Sequence, residues 1–187
     1  MSSSLQLDFV TVDVFTAKPY EGNPLAIIRI PDGVIVSQEQ KQQIAREFNL
    51  SEATFLHEKG AGAQDDIWTV DIFLTTAEIP FAGHPTIGTA CYALARAARE
   101  RGVQNGVIKG SFKLKAGPVA LCYDVTKKSA RAAIPHDVLV SSHVVTQIHK
   151  LTDFQPYPRE KMDQGRTFQV ATTTCRRPSE EQNPGPR

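Results

Sequence analysis

The chain has 187 residues, 41% hydrophobic and 22% charged, which is enough for one ordinary domain with a remainder and matches globular composition rather than disordered, collagenous or disulfide-scaffold composition. Its 21 Lys and Arg against 20 Asp and Glu give a net charge of +1. No run approaches the roughly 18 to 20 apolar residues that span a bilayer, and Met1 to Asp8 has neither the basic nor the apolar region of a secretory signal, so the expectation is a chain with no membrane span.

Asp8 to Phe15 reads as a strand, because Val10, Val12 and Val14 share one face while Thr11 and Asp13 alternate with them. Pro19, Gly22, Asn23 and Pro24 punctuate a turn, and the apolar run Leu25 to Ile30 suits a buried strand. Ser37 with Gln40 three residues later is a capping box, which predicts a helix over Gln38 to Phe48. Its thin apolar face of Ile44, Ala45 and Phe48 places it on the outside. Ala53 to His57 is a strand and Gly60 to Asp66 a loop. Trp68, Val70, Ile72 and Leu74 then alternate with Thr69, Asp71 and Phe73, a period of two. From Pro85 to Arg99 the apolar face carries Ile87, Cys91, Leu94, Ala95 and Ala98, and Ala90, Ala93 and Ala97 keep the other side small, so this helix is enclosed on most sides.

Beyond Gly102 the period returns to two. Ile108, Phe112 and Leu114, then Val119, Leu121, Tyr123 and Val125, then Ala130, Ala132 and Ile134 predict three consecutive antiparallel strands. Ser141 or Ser142 can cap a helix carrying Val144, Val145, Ile148 and Leu151. Five of the 12 prolines follow Thr152, and 171–187 has no large aliphatic residue, so burial cannot offset ordering entropy and a disordered tail is expected.

Charge is unevenly divided. Residues 1–100 hold 7 Lys and Arg against 13 Asp and Glu, whereas 101–187 hold 14 against 7. The cations of the second half are dispersed and lack interleaved aromatics, so no nucleic-acid partner is expected. Cys91, Cys122 and Cys175 are odd in number and far apart, with no disulfide framework or metal-ligand spacing, and a reducing cytoplasm is the default. His143 and His149, six apart, do not share a helix face, and with His136 they make no metal site.

The densest chemical signal is Ile79 to Ala90. Gly83 lets backbone and ligand approach closely, and Pro85 suits the first position of a helix, where its missing N–H is no loss. The free N–H groups and positive dipole end of that helix favour a carboxylate or phosphate, with His84 at the mouth. On these residues alone, Gly83-His84-Pro85 also reads as a simple turn and helix cap. Glu52, at the exit of the outer helix and just before a strand, is placed for general acid or base work, but periodicity does not choose it over Glu47 or Glu78.

Four stretches together resemble the PhzF-like phenazine biosynthesis family, related in fold to diaminopimelate epimerase. They are Asp13 to Thr16, Gly22 to Ala26, Ile44 to Phe55 and Pro80 to Ala90, and the resemblance covers about residues 7–135. It implies an α+β fold in which a curled antiparallel or mixed sheet surrounds a central helix at 85–99. It also implies a first domain over 1–117, only the start of a second similar domain over 118–154, and the tail over 155–187. Family members continue well beyond 187 residues, so the chain resembles a truncated form.

The implied function is isomerisation by general acid/base proton transfer on a small carboxylate-bearing metabolite. Glu52 would be the catalytic carboxylate, with Gly83 and His84 contacting substrate, and no cofactor or metal is implied. The related epimerases use two cysteines, for which Gly83-His84-Pro85 stands here. The alternative is a noncatalytic form that binds a small acid weakly or associates with a full-length relative, and a homodimer stays open.

Overall fold

The computed structural model describes residues 6–60, 65–133 and 174–175. Its elements run β1 (Phe9–Val14), β2 (Asn23–Ile30), α1 (Gln38–Phe48), β3 (Ala53–His57), β4 (Ile67–Phe73), β5 (Glu78–Ile79), α2 (Gly83–Glu100), β6 (Val107–Leu114), β7 (Gly117–Asp124), β8 (Ser129–Ala132) and β9 (Thr174–Cys175). The strands form one mixed sheet in the order β8-β7-β6-β4-β3-β2-β1-β9, with β5 paired to β4. Two pairs are parallel, β2 with β3 and β4 with β6, and each is joined by a crossover that contains a helix, as parallel neighbours require. α2 touches β1 near one end of the sheet and β8 at the other, so the sheet curls around it. This is the expected α+β architecture.

Each face of the central strands is covered by its own helix. Val12, Val14, Leu25, Ile27, Leu56, Val70 and Ile72 pack on α2 together with Phe112, Val119, Leu121 and Ala130 from β6, β7 and β8. Ala26, Ile28, Ile30, Ala53, Phe55 and Phe73 pack on the other face with Ala45 of α1. Twelve of the 18 residues of α2 are buried, which makes it the enclosed helix its alanines predict. Gly88 is the point of closest approach: a Cβ there would lie 2.7 Å from both Leu25 Cδ2 and Val14 Cγ2.

The capping box of α1 is made as predicted, Ser37 accepting from the Gln40 N–H while the Gln40 side chain accepts from the Ser37 N–H. Other expectations shift. The central helix runs from Gly83 to Glu100 rather than 85–99, which puts Pro85 in its third position instead of its first. That position is still free of an internal partner, because the first four N–H groups of a helix have none. Asp13 and Phe73, on the polar side of their strands by alternation, are both buried, Phe73 because α1 covers the second face of the sheet there and Asp13 where it accepts the Tyr20 N–H. β7 and β8 join the same sheet and core as the strands of the first hundred residues. The helix expected from Ser141 to Leu151, and the tail over 155–187 apart from Thr174 and Cys175, lie outside the described residues. Those two pair antiparallel with Val12 and Asp13. No helix among the described residues is long and apolar enough to cross a membrane.

Candidate active site

α1 ends at Asn49, whose left-handed backbone (φ 50°) turns the chain back toward the sheet. Glu52 follows just before β3. Strand alternation gives Glu52 the same side as Thr54, Leu56 and Glu58, and Leu56 shows that this side faces α2. β3 and α2 then meet at three points in the same chain direction. Glu52 Oε2 lies 3.5 Å from His84 Nδ1, the Thr54 and Thr89 hydroxyls are 2.9 Å apart, and Glu58 Oε1 accepts from Arg96 Nη1. Glu52, Gly83 and His84, on the strand entry and in the first turn of the helix, are therefore brought together.

The start of α2 is open. Ala82 is the N-cap and supplies no side-chain acceptor, while the Thr86 hydroxyl donates back to the Ala82 carbonyl at 2.7 Å. Inside the helix the Gly83 and His84 N–H groups have no carbonyl to bond, and Pro85 has no N–H. No acidic residue of the helix's own first turn neutralises this end. A Cβ on Gly83 would meet nothing within 4 Å, so neither packing nor a positive φ demands glycine there.

Glu52 Oε2 and His84 Nε2 are both buried with no hydrogen-bond partner among the described residues. Burial holds the His84 ring below its ordinary 6.5, opposed by the nearby Glu52 carboxylate and the Pro24 carbonyl. His84 is thus neutral at pH 7. At 3.5 Å its contact with Glu52 is longer than a made hydrogen bond, and both groups keep capacity for a third. A carboxylate, a neutral imidazole and a helix start with free N–H groups are the parts for moving a proton beside a bound anion.

Asp13 adjoins this site through its pairing partner Pro24; in the sequence it is an alternating strand position and the first residue of the family-like stretch Asp13 to Thr16. It is buried, pairs in register with Pro24, and its Oδ2 accepts the Tyr20 N–H at 2.9 Å, which closes the turn leading to Gly22 and Pro24. Thr54 and Thr89 were not singled out either, although the period of two from Glu52 lands on Thr54. Two cavities lie elsewhere. One of about 270 Å³ sits at the far end of α2 between Glu58, Trp68, Arg96 and Arg101, and one of about 490 Å³ lies between α2 and Tyr123, Val125 and Lys128. Among the described residues no group of three or more His, Cys, Asp or Glu is arranged to hold a metal.

A curled mixed sheet thus closes on a buried helix whose start faces a carboxylate and carries an imidazole. Residues 12–177 match the phenazine biosynthesis-like protein family (PhzC-PhzF), and the chain belongs to that family. The match runs well past Pro135, where the motifs read from the sequence end.

Among curated relatives, the trans-2,3-dihydro-3-hydroxyanthranilate isomerase of Pseudomonas aeruginosa is 35% identical over 117 residues, covering 61% of this chain and 40% of that protein. Among solved structures, a predicted epimerase from Pseudomonas aeruginosa is 28% identical with a TM-score of 0.53, covering 68% of this chain and 42% of that one. The PhzF-family protein of Bacillus anthracis is 27% identical with a TM-score of 0.50, covering 68% and 40%. This chain therefore spans about two-fifths of the length of these relatives.

Proposed function

We propose that the chain is a PhzF-like isomerase in which Glu52 moves a proton on a small carboxylate-bearing metabolite. The observation that carries this reading is the pair of buried, unpartnered atoms Glu52 Oε2 and His84 Nε2 beside an uncapped helix start. Leaving such groups unpaired costs about 1–3 kcal/mol each, a cost that a ligand would relieve. The substrate carboxylate takes the Gly83 and His84 N–H groups, and the bare face of Gly83 lets it approach. Glu52 removes a proton from a C–H bond whose electrons pass into the adjoining π system, and the protonated Glu52 returns a proton at another carbon. No net electrons are gained or lost, so the residues themselves account for the chemistry.

His84 adds a constraint. His84 Nε2 is buried without a partner among the described residues, and a neutral ring nitrogen pairs with a polar hydrogen-bonding group, so the substrate carries a hydroxyl or amine near its carboxylate. The proposed setting is the cytoplasm, which keeps a thiol such as that of Cys122 reduced.

The test is solvent deuterium incorporation into small hydroxy and amino acids, followed by NMR. Exchange catalysed by residues 1–187 and lowered about 100-fold or more by Glu52→Gln supports the reading, that being the usual scale for losing a general acid or base. Exchange that survives Glu52→Gln removes Glu52 from the mechanism.

A second reading is that the chain binds a small acid without turning it over, or pairs with a full-length relative, because the Glu52 and His84 atoms that would meet a ligand are buried and unpartnered whether or not turnover follows. Acid binding without deuterium incorporation distinguishes it.

A further inference from the structure

The middle contact between β3 and α2 is chemically unusual for its place. Thr54 and Thr89 are both fully buried, their hydroxyls bond each other at 2.9 Å, and Thr54 Oγ1 lies 3.5 Å from the Ala26 carbonyl. The core on this face is built mainly of apolar residues, Leu25, Ile27, Leu56 and Ala90 among them, with Thr86 of α2 also fully buried. Two valines would fill the same space and bury no polar atoms. An apolar strand–helix contact, however, is non-directional and tolerates sliding, whereas a hydrogen bond holds one register.

Register is what the Glu52–His84 pair depends on. Glu52 is two residues before Thr54 on the same strand face, and His84 is five residues before Thr89 on the helix. A slip of one residue along α2 is a 1.5 Å rise with a 100° rotation, enough to swing His84 away from Glu52. Nearer the helix start, no other side-chain hydrogen bond joins these two elements among the described residues, because the Glu58–Arg96 contact lies at their far ends.

We infer that Thr54 and Thr89 are positioning residues which set α2 against β3 so that His84 faces Glu52. The inference rests on the proposed acid/base role of that pair, and it adds two residues that touch no substrate.

The experiment is a double-mutant cycle read on the His84 ring by NMR titration of the full 187-residue chain. In the parent, Glu52→Gln removes the charge that supports the protonated ring, so the midpoint of the His84 titration falls by about 0.5 pH or more. In a Thr54→Val/Thr89→Val background the same change should move the midpoint by less than half as much. Losing both hydroxyls while keeping shape is nearly neutral for stability, whereas Thr54→Val alone leaves the Thr89 hydroxyl unpaired and lowers stability. Positioning therefore predicts that the double variant regains parental stability without regaining the Glu52–His84 coupling, and that Thr54→Ser, which keeps the hydroxyl, preserves it.

Equal midpoint shifts in the parent and double-valine backgrounds overturn the inference. So does the absence of any shift in the parent, since there would be no pair to position. Failure of the chain to exchange deuterium bears on the proposed function alone, because the cycle reads geometry without substrate.

Discussion

Lys41 of α1 and Asp71 of β4 form an ion pair on the sheet face opposite Glu52, with Nζ 2.5 Å from Oδ2. His57 Nε2 lies 2.8 Å from the same oxygen, and the Lys41 ammonium is 6.0 Å from the Phe55 ring centre. Burial pushes the Asp71 carboxyl up, but hydrogen bonds from His57 and Lys41 overcome it and hold the group below its ordinary 3.8. The native state therefore binds this proton less readily than the unfolded chain, and the contribution is present above about 3.8 and lost as pH falls through the lower native value.

Lys41 is only 7% exposed, so removing its partner strands a charge. Lys41→Met and Asp71→Asn should each cost about 1–3 kcal/mol, below the fully buried range because Asp71 retains some solvent and His57. Lys41→Met with Asp71→Asn in one chain should cost less than the sum of the two. Urea unfolding at pH 7 measures the three variants, and strict additivity would show that the pair is not coupled.

A pH effect follows from His84. Its ring is held below 6.5 by burial, so in the window between 6.5 and that lowered value the unfolded chain binds a proton that the native chain refuses. Stability is fully present above 6.5 and falls as pH drops through this window. Thermal melts between pH 7.5 and 5 should show the decline, and His84→Gln should flatten it. A melting profile with the same slope in the variant would place the titrating group elsewhere.

Gly88 offers a packing test. Helix propensity favours alanine over glycine by about 1 kcal/mol. Here the new Cβ would press on Leu25 and Val14, both completely buried, at 2.7 Å, and overpacking of this kind costs about 1–3 kcal/mol. The clash should win for Gly88→Val, which adds a branched side chain, and a lowered midpoint in urea is the expected result. A more stable Gly88→Val would mean that α2 stands further from β1 and β2 than the packing shows.

The legible parts of this molecule were local. The Ser37 and Gln40 side chains announce α1 within four residues, and alternation in β6, β7 and β8 separates Phe112, Leu121 and Ala132 from the lysines because these strands keep one solvent face. Alternation misleads at Phe73 because α1 covers the second face of β3 and β4, and at Asp13 because its carboxylate accepts the Tyr20 N–H of the following turn, tertiary events no short window contains. β5 has two residues, too few to show a period. Gly83 and His84 stood out as a motif, but their meeting with Glu52 depends on β3 lying along α2. The threonines that fix this arrangement are 35 residues apart in sequence.

Gly83 separates the anion site from the fold. At the first position of α2 an alanine meets no atom within 4 Å and needs no unusual backbone, so Gly83→Ala should leave the melting temperature unchanged or slightly raised, since alanine is the better helix former. The same methyl stands over the uncapped N–H groups that the proposed substrate carboxylate uses. A ligand kept from approach loses charge-assisted hydrogen bonds, which are stronger than neutral ones, and a tenfold weaker Kd corresponds to about 1.4 kcal/mol. Titration with benzoate and lactate, followed on the Gly83 and His84 amide resonances, is the measurement. Gly83→Ala should weaken binding about tenfold or more while the fold is intact. Equal affinity in both proteins would show that the start of α2 is not where the acid binds.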